Sequence, residues 1–154
     1  MSVPLGREAI WGALFNLLLT LSVPNGGKFV TVQRRVRHWT DVAAGEQPYL
    51  ALLQHQETAI ARDRGMPTKW ELAGKIIVYA RSDIDQLGTS GGQVLNPLID
   101  AVEGALAPVP AQGNVQSLAG LVSRVFIDGV VEVDEGNLDN QAVAIIPVRI
   151  IAPV

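Results

Sequence analysis

Between Trp70 and Arg81 the side chains alternate, with Trp70, Leu72, Ile76 and Val78 on one side of an extended chain and Glu71, Lys75, Tyr79 and Arg81 on the other. This pattern predicts a strand with one dry and one wet face, and the dry face needs a second layer to cover it. Two amphipathic segments can supply that layer. In the first, Ser2, Pro4 and Glu8 open a capped helix whose apolar positions Ile10, Trp11, Leu14, Phe15, Leu17, Leu18 and Leu21 recur at three- and four-residue steps; Pro24, Asn25, Gly26 and Gly27 stop it. In the second, Asn96 caps a helix with Pro97 at its first position, and Leu98, Ile99, Val102 and Leu106 form its buried stripe up to Pro108.

Further strands surround these elements. From Phe29 to Arg37, Val30, Val32 and Val36 share one side and Thr31, Gln33, Arg35 and Arg37 the other. Tyr49–His55 is apolar on both sides, and Glu57–Pro67 reads as an exposed hairpin loop or short helix. Leu121–Ile127 and Val130–Asp134 are strands parted by a bend at Gly129. Ala142–Ile151 is a β-branched run in which Pro147, unable to donate to a ladder, predicts an edge or a bulge. The order implies a single α+β domain over residues 1–154: a mostly antiparallel, twisted sheet of about four to six strands with two helices on one face. The other sheet face keeps arginine, lysine and glutamate among several apolar side chains, so neighbouring molecules are expected to cover part of it.

Composition narrows the function. A chain of 154 residues that is 48% hydrophobic has ample core for one domain, and 12 basic against 15 acidic residues leave no broad cationic footprint for nucleic acid. Without cysteine there is no disulfide and no thiolate zinc site. The apolar run Ala13–Leu21 is broken by Asn16 and Thr20 and falls short of the ~20 residues of a membrane span. No secretion signal is read at the start either, since Arg7 is followed directly by Glu8, so the chain is expected to stay where it is made.

Candidate chemistry is weak throughout. Gly88-Thr89-Ser90-Gly91-Gly92 satisfies the nucleophile-elbow pattern, yet both histidines, His38 and His55, precede Ser90, against the order that fold requires. The chymotrypsin-like order would need far more chain. As a phosphate cradle the loop lacks the Lys-Ser/Thr pair after its last glycine. Asp128, Glu132, Asp134, Glu135 and Asp139 do not have the spacing of a calcium loop and read as solvated strand ends and a turn. Arg34, Arg35, Arg37 and His38 form the one dense cationic cluster; in a strand, Arg35 and Arg37 share a face and Arg34 and His38 take the other, so they cannot all grip one phosphate track. No enzyme, cofactor or metal is expected.

Three stretches carry a resemblance over the whole chain. They are Arg7-Glu8-Ala9-Ile10-Trp11 before the first strand; Tyr49-Leu50-Ala51-Leu52 leading through a long loop to Trp70-Glu71-Leu72 and Ile76-Val78-Tyr79; and Val125-Phe126-Ile127-Asp128-Gly129 with Glu132, Asp134 and Gly136 before Ala144-Ile145-Ile146-Pro147-Val148. In this order, with Asn96–Ala101 as the second helix, the chain resembles the tail terminator (tail completion, minor tail) proteins of long-tailed bacteriophages. The resemblance implies a non-enzymatic virion protein whose copies form a ring, typically of six, that caps the tail tube, stops its polymerisation and offers the surface for joining the head. Its implied partners are further copies of itself, the tail tube protein and a neck or head-tail connector protein, with DNA passing through the bore without specific binding and no membrane involved. Neck proteins of related shape are the nearest alternative, and a small sheet-based binding module the alternative of another class. On this reading Arg34, Arg35, Arg37, Asp83, Asp85 and Ser90 are expected at a subunit or tube interface, and Asp134, Glu135 and Asp139 at the bore or between rings.

Overall fold

Ile10, Trp11, Leu14 and Leu18 are all buried, so helix α1 (Arg7–Leu19) lays one continuous stripe on the sheet. The computed structural model describes residues 4–82, 89–136 and 140–153. Ser2, expected to open the helix, lies outside them; the N-cap is Gly6, in the left-handed region at φ 72° and with no side-chain cap. Helix α2 (Gly91–Ala105) buries Gly91, Leu95, Leu98 and Val102 at helical spacing. It starts earlier than the Asn96–Pro97 signal implies. Ser90 and Gln93 form a capping box, the Ser90 hydroxyl accepting from the Gln93 amide at 3.1 Å and the Gln93 side chain accepting from the Ser90 amide at 2.8 Å. Pro97 therefore sits inside the helix, where it has no N–H to offer the Gln93 carbonyl one turn back; both residues are exposed.

Among the described residues the sheet has six strands: β1 (Thr31–Gln33), β2 (Tyr49–Ile60), β3 (Lys69–Arg81), β4 (Arg124–Ile127), β5 (Glu132–Asp134) and β6 (Gln141–Ile151). Their order is β1-β2-β3-β6-β4, with β5 also on β6. Only β1–β2 is parallel; the other pairings are antiparallel, which makes this a mostly antiparallel α+β fold with its helices packed on the sheet. Alternation in β3 and β6 sends Leu72, Ile76, Val78 and Ala80, with Ala142, Ala144, Ile146, Val148 and Ile150, to the helix side, where they join Leu50, Leu52 and the stripes of both helices in one core. The partners on the outer face run in rows across the strands, Tyr49–Tyr79–Val143–Asp134 and Ala51–Ile77–Ile145–Glu132.

Three expectations are corrected. The first strand ends at Gln33 rather than Arg37, because the next residues leave the sheet and cross its outer face. The segment from Glu57 is neither loop nor helix at first: β2 passes a bulge at His55 and continues to Ile60, opposite Lys69, so the exposed turn is confined to 61–68. β1 covers only Tyr49–Ala51, which leaves the outer edge of β2 beyond Leu52 without a strand partner among the described residues. Pro147 is in an interior strand, which corrects the edge but not the bulge: the ladder on the β4 and β5 side of β6 breaks opposite it, between Ile127↔Val148 and Glu132↔Ile145. The Pro147 carbonyl accepts from the Asp128 amide at 3.2 Å, so its missing N–H faces the break between β4 and β5, where Gly129 turns at φ 123° with the proline ring 3.3 Å from where a Cβ would stand.

Candidate functional site

The outer sheet face is where this chain departs from an ordinary domain. Residues 34–47 cross one corner of it as an arm, and a second small cluster of Val42, Tyr49, Ala51 and Tyr79, joined by Val36, Ile77 and Val143, lies beneath. Two tyrosines fasten the arm. Their rings stack with centroids 5.1 Å apart, the Tyr49 hydroxyl donates to the Arg35 carbonyl at 2.6 Å, and the Tyr79 hydroxyl donates to the Arg37 carbonyl at 2.6 Å. Burial raises the Tyr79 phenol above its ordinary value, so it stays protonated and keeps donating. At the far end the side-chain amides of Gln47 and Gln141 exchange hydrogen bonds of 2.9 and 3.0 Å, and Gln141 also donates to the Ala80 carbonyl. Capture of the Arg35 and Arg37 carbonyls is the physical reason the chain abandons the sheet after Gln33, so Arg34, Arg35 and Arg37 do not alternate across the faces of a strand.

Within the cluster the three arginines have different surroundings. Arg34 pairs with Glu8 of α1 and donates to Gln54 at 3.1 Å, and its hydrogen bond holds the Glu8 carboxyl below the usual carboxylate range. Arg37 reaches Glu46 at 3.2 Å and Gln33 at 3.3 Å, with its guanidinium 5.5 Å from the Tyr49 ring centroid. The Glu46 carboxyl is lowered first by the Ala43 amide and then by Arg37, and Glu46 in turn raises Arg37. Arg35 is exposed and makes no side-chain hydrogen bond or ion pair among the described residues. His38 stacks on Trp39 with its Nδ1 2.8 Å from the Thr40 hydroxyl, and the Trp39 side chain is 41% exposed.

Elsewhere, Ser90 is the cap of α2, and neither histidine hydrogen-bonds it among the described residues. Asp83 and Asp85, and Asp139 of the acidic set, lie outside the described residues. Asp134 accepts from the Gly136 amide at 2.9 Å. Glu135 accepts from the Gly92 amide at 3.0 Å, placing a carboxylate on the N-terminal end of α2. That contact is close enough that a Cβ on Gly91 would stand 2.1 Å from the Glu135 carbonyl oxygen, so only glycine fits. Glu132 ends the Ala51–Ile77–Ile145 row, is exposed, and has no hydrogen-bond or ion-pair partner among the described residues. Asp128 is tied to Arg149 at 2.7 Å, and Arg149 also donates to Glu71 at 2.9 Å.

The remainder of the outer face has no covering layer among the described residues. Ile77, Val143, Ile145 and Pro147 are half-buried there and Leu53 is exposed, interleaved with Lys75 and the Glu71–Arg149–Asp128 group. Charge placement had marked the arginines; nothing local had marked the two tyrosines or the glutamine pair, whose partners are distant in the chain. No cluster of three or more His, Asp or Glu side chains able to hold a metal occurs among the described residues. Also among them, no helix is long and apolar enough to cross a membrane. Compared with protein-family models and with curated proteins, the chain matches none.

Proposed function

We propose that this chain is a structural subunit that works by assembling with copies of itself into a ring, of six on the family resemblance, at the head-proximal end of a phage tail. There the ring stops growth of the tail tube and offers the neck or head-tail connector protein its joining surface, with DNA passing through the bore ungripped. It acts in the virion tail and, during assembly, in the host cytoplasm. The observation that carries this reading is the outer sheet face, where Leu53, Ile77, Val143, Ile145 and Pro147 line a stretch that the arm leaves uncovered. Apolar area of this kind favours contact with another protein surface, and the charges interleaved with it fix the register of such a contact.

Light scattering on the purified chain, alone and with tail tube protein, tests the reading. A closed ring, or joining of the tube end with arrest of its growth, is the expected result. A chain that remains single under both conditions overturns it.

A further inference from the structure

Two surfaces of the molecule complement each other and lie apart on the sheet within one copy. On one, the arm presents Arg35, without a side-chain partner among the described residues, its backbone fixed by the Tyr49 hydroxyl, with exposed Trp39 four residues on and exposed Val30 five residues before. A backbone held in this way lowers the conformational cost of engaging a partner, and an arginine beside an exposed tryptophan is the composition that concentrates binding energy in protein contacts. On the other, β5 presents Glu132, without a hydrogen-bond or ion-pair partner among the described residues, with Val130, 79% exposed, two residues before it. The carbonyl of Arg35 is anchored over β2, whereas Glu132 is on β5, with β3 and β6 between them, three strand spacings or about 14 Å away, and the two side chains form no ion pair with each other within one copy. Both lie toward the outer face, since Tyr49 and Glu132 belong to its rows.

We infer that Arg35 and Trp39 of one copy dock on Glu132 and Val130 of the next. This rests on the ring reading and names the contact that closes the ring. Because the two patches are different surfaces of the same chain, the contact is heterologous, and repeating it generates a closed ring when the rotation between copies permits. The salt dependence follows from the same chemistry, since the pair forms at a rim that water reaches and weakens as ionic strength rises.

The test is a charge swap, read as mass by light scattering or native mass spectrometry under conditions where the wild-type chain forms its ring. Arg35→Glu alone and Glu132→Arg alone are expected to lose the ring. Mixed in equal amounts they are expected to restore it, because strict alternation around an even ring sets Glu against Arg at every junction. The double variant Arg35→Glu/Glu132→Arg is expected to assemble by itself. Single variants that form the wild-type ring overturn this contact while leaving the ring reading in place. Loss in the single variants without recovery in either the mixture or the double variant also overturns it. A wild-type chain that stays single with tube protein present overturns the ring reading itself. Both residues are exposed and without a hydrogen-bond or ion-pair partner among the described residues, and circular dichroism on each variant checks that the fold persists.

Discussion

The indole of Trp11 occupies the space over Gly74: a Cβ on Gly74 would stand 2.8 Å from Cη2 of Trp11 and 2.9 Å from the Leu53 carbonyl oxygen. A glycine in the middle of β3 costs strand stability, and here its lack of a side chain lets α1 seat a large aromatic directly on the sheet. Gly74→Ala is therefore expected to destabilise the fold by about 1–3 kcal/mol, since one contact is backbone and the other a fully packed ring. Urea unfolding should show a lower midpoint with unchanged slope; an unchanged midpoint would mean that α1 shifts freely.

The tyrosine pair should control the arm without controlling the core. Tyr49→Phe and Tyr79→Phe each remove a hydroxyl that donates to an arm carbonyl at 2.6 Å, and each is expected to cost about 1 kcal/mol. Amide exchange over residues 34–47 should accelerate, while β3 and β6 keep their protection. Equal acceleration throughout the sheet would refute a local role.

Acid should loosen the same segment. The Glu46 carboxyl accepts from the Ala43 amide and pairs with Arg37, which lowers it below its ordinary 4.5. A folded value below the unfolded one gives stability that is fully present above the unfolded value and is lost as pH falls through the folded one. The arm should therefore open as pH drops below 4.5, followed by NMR through the arm resonances, and Glu46→Gln should remove that acid-dependent component. A variant with the wild-type acid profile would place the titration elsewhere.

Ser90 offers a check on the helix cap. As the N-cap of α2 it accepts from the Gln93 amide, so Ser90→Ala is expected to lower stability by about 1 kcal/mol in thermal or urea unfolding. A variant as stable as wild type would show that the capping box contributes nothing.

Much of the architecture can be read from local pattern. The stripe of α1 and the alternation of β3 and β6 are periodic, and period reports directly on which face is buried. β1 could not be bounded this way: its alternating residues run on through Arg37, but hydroxyls of Tyr49 and Tyr79 seize the arm's carbonyls, and no window of neighbouring residues contains that competition. At α2 two N-terminal signals compete, and the capping box of Ser90 and Gln93 prevails over Asn96–Pro97 because it starts the helix where Gly91 can pass close to Glu135. Pro147 was visible as a ladder defect, but only the pairing of β6 with β3 on one side and β4 and β5 on the other shows it in the interior. For the candidate site, composition displayed the arginines and acids. Which of them are spent on Glu8, Glu46 and the α2 terminus, and which are left over, is a property of tertiary contacts.

The stretch of β2 beyond Leu52 adds a requirement of its own. A bare strand margin invites indiscriminate stacking with any other extended peptide, the route by which concentrated protein turns into fibrils. The irregularity at His55 and the Arg7–Glu57 ion pair at 2.8 Å interrupt that margin with a kink and fixed charge. The chain is thereby guarded against stacking edge to edge, and smoothing the kink would be expected to make it aggregate.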